Sequence, residues 1–304
     1  MQIKVPIINP NILKYTLALL SSILLMSICL SQSKVIESLE MDSQLLNTKV
    51  RYSVYLPEGF DESKTKYPVV YLLNGYTGNE TDWVRIGLVK NIADELIKGN
   101  DIEPLVIIMP DGDDRLYMNK EDGTYPYEDM FIKELMPYVE RKYNIKSEKK
   151  FRGISGLSMG GAGSLRLALK YHNLFGACAA FSAGISTKEE IINEGDRSFN
   201  DYFGRISPSA IGAKGEARLT DIINEYNVFE LIASKDVEQL KTVAIYFDCG
   251  DDDFLAVGNS MLHIELLKKR IPHEYRVRNG GHTWNFWIDS LPVGLEFISD
   301  TFRN

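Results

Sequence analysis

Continuous apolar runs alternate with helical stretches along most of the sequence, and this alternation restricts the fold more than any other feature. The first apolar run reads YPVVYLLNG at 67–75, and the next reads PLVIIMP at 104–110, after a helical stretch at 82–99. Strands that are apolar on both sides are covered on both faces, as in parallel sheets. The pattern therefore predicts an α/β fold with a mostly parallel central sheet and helices on both faces.

The alternation begins before these runs and continues to the end of the chain. Residues 49–57 alternate apolar and polar side chains, as a half-buried strand does. The later predicted elements are a helix at 127–143, a strand at 149–158, a helix at 159–171, strands at 175–184 and 242–250, a helix at 259–271, a strand at 273–281 and a helix from about 284. We expect residues 34–304 to form one domain.

Residues 185–241 interrupt the alternation. This stretch is polar, contains several glycines and is only weakly helical. Ligands of open α/β sheets bind at the carboxyl ends of the strands. We therefore interpret the stretch as a small cap insertion that lies over this edge and helps to shape a substrate cleft.

The first 33 residues have the pattern of a secretory signal peptide. Lys4 and Lys14 precede an uncharged apolar run at 15–30, and the polar SQSK follows. The apolar run is short for a membrane span, so no stable span is expected after cleavage. The protein is predicted to be secreted or periplasmic. Cys29 leaves a lipoprotein as an alternative, but Ile28 stands where a lipobox normally has a small residue.

The net charge of the chain argues against one class of partner. The formal net charge is −8, and it becomes −10 without residues 1–33, which hold two lysines and no acid. An acidic chain without a basic block argues against nucleic acid as a partner.

Cys178 and Cys249 lie in apolar runs without metal-ligand spacing. We expect both to be free buried thiols rather than a disulfide.

A short acidic turn is the other candidate for a metal site. Asp111, Asp113 and Asp114 are close in sequence, but they do not fit the calcium-binding EF-hand pattern. A solvated turn explains them better than calcium does. No metal and no organic cofactor are predicted, and nothing in the sequence indicates an oligomeric state.

The segment GISGLSMGGAG at 153–163 lies between a predicted strand and a predicted helix. Its G-x-S-x-G core, centred on Ser158, is typical of a nucleophile elbow, in which a serine sits on a sharp strand-to-helix turn. The small glycines prevent collisions at such a turn. A dinucleotide-binding turn is the alternative, but the glycine spacing does not fit G-x-G-x-x-G. Ser158 is therefore predicted to be a nucleophile.

A serine nucleophile needs a histidine base. His282 follows a predicted strand at the carboxyl edge of the sheet, and two preceding glycines allow its loop to bend. The other histidines are placed less suitably: His172 falls at a helix end, His263 inside a helix and His273 at a strand start. His282 is therefore the predicted base.

The orienting acid is expected in the segment DCGDDDFL, just beyond a predicted strand. Asp253 lies three residues past Gly250 and beside the apolar Phe254, which favours partial burial of its carboxylate. Asp251 and Asp252 are more easily explained as solvated turn residues. With Asp253 as the acid, the chain order is serine, aspartate, histidine, which is the order of α/β-hydrolases.

Five segments together resemble the putative-esterase (esterase D-like) family of α/β-hydrolases over most of residues 45–303. They are LLNGYTGNETDW, YEDMFIKELMPYVERKY, GLSMGGAGSLRLAL, DCGDDDFL and GGHTWNFW. Within this family, the five segments most resemble those of feruloyl and acetyl xylan esterases. The resemblance implies that Ser158, Asp253 and His282 form a catalytic triad. It also implies that the backbone N–H groups of Tyr76 and Met159 form the oxyanion hole.

One position departs from the family pattern, and three others are candidate substrate contacts. Many members have His-Gly where this chain has Asn74-Gly75, so the polar group beside the oxyanion hole has changed. Trp83, Tyr117 and Asn119 are predicted to border the cleft and contact sugars or aromatic acids. The tyrosines of the same loop could equally pack over the sheet edge, and the sequence does not decide between these two alternatives.

Together these features predict a serine carboxylesterase for short or aromatic acyl esters. Feruloyl or acetyl groups on plant polysaccharide are the expected substrates, because export would separate the protein from cytosolic S-formylglutathione. A siderophore esterase and an acyltransferase on the same triad are alternatives. A catalytically inactive binding module is a further alternative from another class of protein.

Overall fold

The computed structural model describes residues 32–60 and 65–303. The strands of this part of the chain form one eight-stranded sheet in the order β1-β2-β4-β3-β5-β6-β7-β8. The strands are β1 Lys34–Ser43, β2 Thr48–Leu56, β3 Val69–Leu73, β4 Val106–Pro110, β5 Arg152–Leu157, β6 Ala177–Phe181, β7 Ala244–Gly250 and β8 Glu274–Arg278. β2 pairs antiparallel with β1 and β4, and the other pairs are parallel. The prediction of an α/β fold with a mostly parallel sheet is confirmed.

Strand β1, at the edge of the sheet, is absent from the sequence-based prediction. The pairing register of β1 with β2 shifts between Ile36 and Leu39, which marks a β-bulge. Ser38 within the bulge has a positive φ of 51°. A bulge breaks the two-residue alternation that identifies a half-buried strand, so the strand leaves no clear pattern in the sequence.

The helices of the described part occupy most of the predicted positions. They are α1 Asp82–Arg85, α2 Val89–Gly99, α3 Tyr127–Met130, α4 Met136–Lys142, α5 Met159–Lys170, α6 Lys188–Asn193, α7 Asp196–Phe203, α8 Asp221–Tyr226, α9 Val228–Ser234, α10 Val237–Leu240, α11 Ala256–Lys268 and α12 Trp284–Arg303. A π-helical turn, Phe131–Leu135, joins α3 to α4. The predicted helix at 82–99 is divided at Leu88, which adopts a left-handed conformation with φ 54°.

The sheet is covered on both faces, as its apolar strands require. Val70 and Leu72 of β3 pack into a cluster with α2 and α12, whereas Val69 and Tyr71 pack into a second cluster with α3, α4, α5 and α11. Successive side chains of a strand point to opposite faces. Full burial of each such side chain stabilises the fold by about 1.5–3 kcal/mol.

The insertion at 185–241 contains the short helices α6–α10 and lies over the site described below. Its buried side chains belong to the same apolar cluster as one face of the sheet; they include Ile191, Phe199, Phe203, Ile223 and Tyr226. Arg218 is 2% exposed and donates hydrogen bonds to the carbonyl oxygens of Ile191, Ile192 and Glu194. The guanidinium therefore satisfies carbonyl groups at the end of α6 that have no partner within that helix.

The two cysteines of the described chain are free and buried, which confirms the prediction for them. Cys178 on β6 lies opposite Ile245 on β7. Cys249 is four residues further along β7, or about 13 Å at roughly 3.3 Å a residue, beyond the Cα separation of about 7 Å that a disulfide spans. Burial raises the pKa of Cys249 to about 12.

Two sequence-based predictions concern residues that are mostly not described. Residues 1–31 of the predicted signal peptide at 1–33 lie outside the described residues. Cys29 is among them. Each helix described within residues 32–60 and 65–303 is either too short or too polar to span a bilayer.

Candidate active site

Ser158 stands on a sharp turn between β5 and α5. Its φ of 52° and ψ of −118° are rare for a residue with a side chain, and such a backbone costs about 1–3 kcal/mol. The surrounding backbone holds this conformation. The Ser158 N–H donates to the carbonyl of Phe181 at 2.9 Å, and the Ser158 carbonyl accepts from the N–H groups of Ala162 at 3.0 Å and Gly184 at 2.8 Å.

Glycines on either side of Ser158 permit the close packing of this turn. A Cβ on Gly160 would lie 2.5 Å from the carbonyl oxygen of Leu73 and 2.6 Å from that of Asn74. A Cβ on Gly156 would lie 2.7 Å from the backbone of Gly160. These distances leave no room for a side chain, so the first turn of α5 can approach β3 only with glycine at both positions.

His282 connects Ser158 to Asp253 through hydrogen bonds. The Ser158 Oγ lies 3.0 Å from His282 Nε2, and His282 Nδ1 lies 2.9 Å and 3.1 Å from the two carboxylate oxygens of Asp253. His282 stands in the loop between β8 and α12, and Asp253 follows β7. Three side chains that are far apart in sequence therefore meet at the carboxyl edge of the sheet.

The ionisation of the Asp253 carboxyl group determines the roles of the two imidazole nitrogens of His282. The Asp253 side chain has no exposed surface, and its burial raises the carboxyl pKa. The hydrogen bonds from His282 and from the Leu255 N–H outweigh this effect, so the pKa of Asp253 is lowered overall. An ionised carboxylate only accepts hydrogen bonds. Nδ1 of His282 therefore carries the proton, and Nε2 is free to accept the Ser158 hydroxyl proton.

The neighbouring carboxylates have different partners. Asp251 Oδ1 accepts a hydrogen bond at 2.9 Å from the N–H of Gly280, and Asp252 is exposed. Asp251 thus anchors the loop that carries His282, a function that the sequence did not suggest. His263 and His273 lie away from Ser158 and hydrogen-bond to each other at 2.8 Å.

The two predicted oxyanion donors lie beside Ser158. Met159 is the first residue of α5, and the N–H groups of a first helical turn have no partner within the helix. The helix dipole also favours negative charge at this end. A Cβ on Gly75 would lie 3.6 Å from the Ser158 Cβ, so the Gly75–Tyr76 loop passes directly beside the serine.

Two cavities open on Ser158, and Tyr76 and His282 line both of them. The larger has about 480 Å³ and lies under the insertion; its other lining residues are Gly184, Ser186, Glu194, Ser198, Asp201, Tyr202, Phe203, Phe254 and Leu255. The smaller has about 300 Å³; its other lining residues are Gly75, Thr77, Gly78, Asp82, Leu157, Thr283, Trp284 and Trp287. Aromatic side chains thus border both cavities.

None of the three predicted substrate contacts lines either cavity. Trp83 is 1% exposed, and its indole N–H donates to the carbonyl of Leu73 at 2.9 Å. Tyr117 is fully buried, and its hydroxyl hydrogen-bonds to Asn74. Asn119 Oδ1 accepts from the N–H of Asp129 at 3.1 Å. Both aromatic rings fill the core, and their polar atoms find partners there.

Phe254 lines the larger cavity, although in the sequence it stands out only as an apolar neighbour of Asp253. It is 74% exposed, and its ring centre lies 4.6 Å from that of His282. An exposed aromatic ring next to a histidine base is a flat surface on which a substrate could stack. Its position one residue after the predicted acid was the available signal.

The described residues contain no group of three or more His, Cys, Asp or Glu side chains that could hold a metal ion. Two members of the acidic turn have hydrogen-bond partners elsewhere in the fold. Asp111 accepts from Arg51 at 2.9 Å, and Asp114 accepts from the Thr77 N–H at 2.6 Å. Asp114 therefore helps to hold the loop that follows Tyr76.

Several known proteins are similar to this chain. The family described as "Putative esterase" matches residues 43–298. An acetyl esterase of Caldicellulosiruptor saccharolyticus is 28% identical over 253 residues, covering 79% of this chain and 86% of that protein. An endo-1,4-beta-xylanase/feruloyl esterase of Xylanibacter ruminicola is 32% identical over 146 residues, covering 46% of this chain but only 20% of that protein.

A solved structure extends the comparison to the whole fold. A ferulic acid esterase matches with a TM-score of 0.76 and 31% identity, covering 89% of this chain and 99% of that chain. The family match spans well over half of the sequence, and the structural match spans nearly all of the described fold. The chain belongs to the putative esterase family of α/β-hydrolases and is a carboxylic ester hydrolase.

Proposed function

We propose that this protein is a serine esterase that removes short or aromatic acyl groups, such as acetyl or feruloyl, from plant polysaccharide. The observation that carries the proposal is the hydrogen-bonded series from Ser158 through His282 to Asp253. Ser158 and His282 line two cavities that meet at the serine. Such an arrangement suits a substrate with one group on each side of the bond that is cleaved.

In the proposed acylation step, the Ser158 oxygen attacks the ester carbonyl carbon while its proton moves to His282 Nε2. Asp253 orients the imidazole and stabilises its positive charge. The carbonyl oxygen becomes negatively charged and accepts hydrogen bonds from the Tyr76 and Met159 N–H groups. When the tetrahedral intermediate collapses, the bond to the alcohol breaks, and His282 gives its proton to the departing oxygen.

In the proposed deacylation step, water takes the place of the departed alcohol. His282 removes a proton from this water as it attacks the acyl carbon, and the same N–H groups stabilise the second oxyanion. The bond to Ser158 then breaks, and the serine oxygen regains its proton from His282. No step needs a group from outside the chain other than substrate and water.

Cavity size and lining support the substrate class. Cavities of about 480 Å³ and 300 Å³ are at the lower end of the range for small-molecule sites, which favours short or single-ring acyl groups over long acyl chains. Tyr202, Phe254 and Trp284 offer flat surfaces for sugar or aromatic rings. Two of the similar proteins are named as an acetyl esterase and a ferulic acid esterase.

The proposal is tested by Ser158→Ala together with a substrate panel. The variant should fold and lose on the order of 10⁶ in kcat, and retention of more than a tenth of the activity would refute the mechanism. The panel should contain feruloylated and acetylated xylan fragments, a cyclic siderophore ester and a long-chain acyl glyceride. Turnover of the siderophore ester alone would assign a different substrate, and acylated sugar among the products with sugar acceptors would indicate a transferase.

We also propose that residues 1–33 direct export and are removed, as their charge and apolar pattern suggests. Expression of the full chain in a bacterial host, followed by fractionation and N-terminal sequencing, tests this. Export with a new N-terminus near residue 34 is expected. Recovery of the uncleaved chain in the cytosol contradicts it, and a lipid-modified Cys29 would indicate a lipoprotein.

A further inference from the structure

We propose that Asn74 and Tyr117 are positioning residues that fix the direction of the Tyr76 N–H towards the oxyanion. The inference rests on the proposed function, in which this N–H stabilises the negatively charged oxygen. Neither side chain lines the two cavities, so neither would contact the substrate. Their effect would pass through the backbone between Asn74 and Tyr76.

The first link is a hydrogen bond to the peptide unit that contains the donor. The Asn74 side-chain Nδ2 donates to the carbonyl oxygen of Gly75 at 2.9 Å. This carbonyl and the Tyr76 N–H belong to the same peptide group, which is planar and trans, so they point in opposite directions. The Gly78 N–H holds the same carbonyl at 3.1 Å. Fixing the carbonyl therefore fixes the N–H.

The second link determines which way the Asn74 amide faces. Asn74 is 1% exposed, and its Oδ1 accepts from the Gly112 N–H at 3.0 Å and from the Tyr117 hydroxyl at 2.8 Å. Both partners can act as donors here, so the oxygen must face them and the NH₂ group must face Gly75. The Tyr117 hydroxyl also lies 3.1 Å from the Asn74 carbonyl oxygen.

The third link holds Tyr117 itself. Its ring packs against α5 so closely that a Cβ on Gly163 would lie 2.7 Å from a ring carbon. The carbonyl of Tyr117 accepts from Arg166 at 2.5 Å, and Arg166 pairs with Glu128 at 2.6 Å in the core. A continuous set of buried hydrogen bonds and packing contacts thus connects the helix after Ser158 to the Gly75–Tyr76 peptide.

The chemistry of this position requires a side chain that both donates and accepts. An amide provides an NH₂ donor for the Gly75 carbonyl and an oxygen for its two donors. A carboxylate has no such donor when ionised. Asn74→Asp would therefore leave the Gly75 carbonyl without its side-chain partner and place a negative charge beside the hole.

The test uses Tyr117→Phe, which removes the hydroxyl and keeps the ring. With nitrophenyl acetate we expect kcat to fall about tenfold while KM changes less than about twofold, because only transition-state stabilisation is lost. Asn74→Asp should lower kcat about a hundredfold, near the loss found when one oxyanion donor is removed. Tyr127→Phe is the matched control. The hydroxyl of Tyr127 is buried and donates to the carbonyl of Asp111. The kcat of the Tyr127→Phe variant should stay within about twofold of the wild-type value.

A second measurement separates positioning from a general loss of structure. A trifluoromethyl ketone forms a tetrahedral adduct with the serine, whereas the matching methyl ketone is a ground-state analogue. For Tyr117→Phe, Ki of the first should rise by the factor by which kcat/KM falls, and Ki of the second should not change. Equal weakening of both ketones, or a loss no greater than in Tyr127→Phe, would overturn the inference. Activity that survives Ser158→Ala would instead refute the proposed function.

Discussion

Glu128→Gln tests the buried ion pair that supports the elbow helix α5. Glu128 is 1% exposed and Arg166 is fully buried, with 2.6 Å between the guanidinium and the carboxylate. Lys170 lies 2.7 Å from the other carboxylate oxygen, which also accepts from the Tyr171 hydroxyl at 2.6 Å. The substitution keeps the shape of the side chain and removes its charge, which leaves Arg166 buried without a counter-ion.

The expected loss follows from the pKa of Glu128. Burial raises this pKa, but the nearby Arg166 and Lys170 outweigh burial and lower it from 4.5 to about 2. That difference corresponds to about 3 kcal/mol of folding free energy, and loss of one partner of a buried pair costs a similar amount, about 3–5 kcal/mol. Because the folded pKa is lowered, the stabilisation is complete well above pH 4.5 and is lost as the pH falls towards 2.

Urea unfolding of residues 34–304 at pH 7 and pH 3 measures this loss. The free energy of unfolding of Glu128→Gln should lie about 3 kcal/mol below that of the wild type at pH 7, and less than half of this difference should remain at pH 3. Glu265→Gln is the control, since Glu265 pairs with Lys268 near the surface and should cost less than about 1 kcal/mol. A loss at pH 7 no larger than that of the control, or a difference that persists unchanged at pH 3, would refute the reasoning.

Three further predictions concern the site and the thiols. Asp253→Asn should lower kcat by on the order of 10⁴, whereas Asp252→Asn should lower it less than about tenfold; steady-state kinetics showing the reverse would reassign the acid. Thiol titration of residues 34–304 in denaturant should find two thiols, from Cys178 and Cys249, and finding none would contradict the strand register. A nitrophenyl hemisuccinate should react with a kcat/KM about tenfold below that of the neutral acetate, since the described cavity linings contain acids such as Glu194 but no Lys or Arg. Glu194→Gln should narrow this gap, and an unchanged ratio would exclude Glu194 as a cause.

The strand-to-helix turn at Ser158 could be predicted because the glycines that permit it are close to the serine in sequence, although the backbone for which Gly160 makes room belongs to Leu73 and Asn74. Gly156 and Gly160 lie two positions before and after the serine, and the strand and the helix that flank the turn have clear patterns. The meeting of His282 and Asp253 with Ser158 could be predicted for a related reason. In a parallel sheet, residues that follow successive strands gather at one edge, so chain order and strand positions are sufficient.

The substrate contacts could not be predicted, because loop sequences do not reveal which way an aromatic side chain points. The sequence places Tyr117 in an acidic, tyrosine-rich loop, where its flat ring suits stacking on a substrate and packing over the sheet edge equally well. The partner that allows its burial is Asn74, 43 positions away along the chain. Likewise, the indole of Trp83 is buried because the carbonyl of Leu73 accepts its N–H. Only the folded backbone brings these acceptors within reach.

The two cavities that share Ser158 have a kinetic consequence. Under the proposed mechanism, the acyl group stays on the serine in one cavity while the alcohol product leaves through the other. The vacated cavity is then the route by which water reaches the acyl-enzyme. Any alcohol that binds there competes with water for the same intermediate, so the ratio of transfer to hydrolysis should rise with acceptor concentration and saturate when that cavity is full. The affinity of one cavity for free alcohols would thus set the partition between the two reactions.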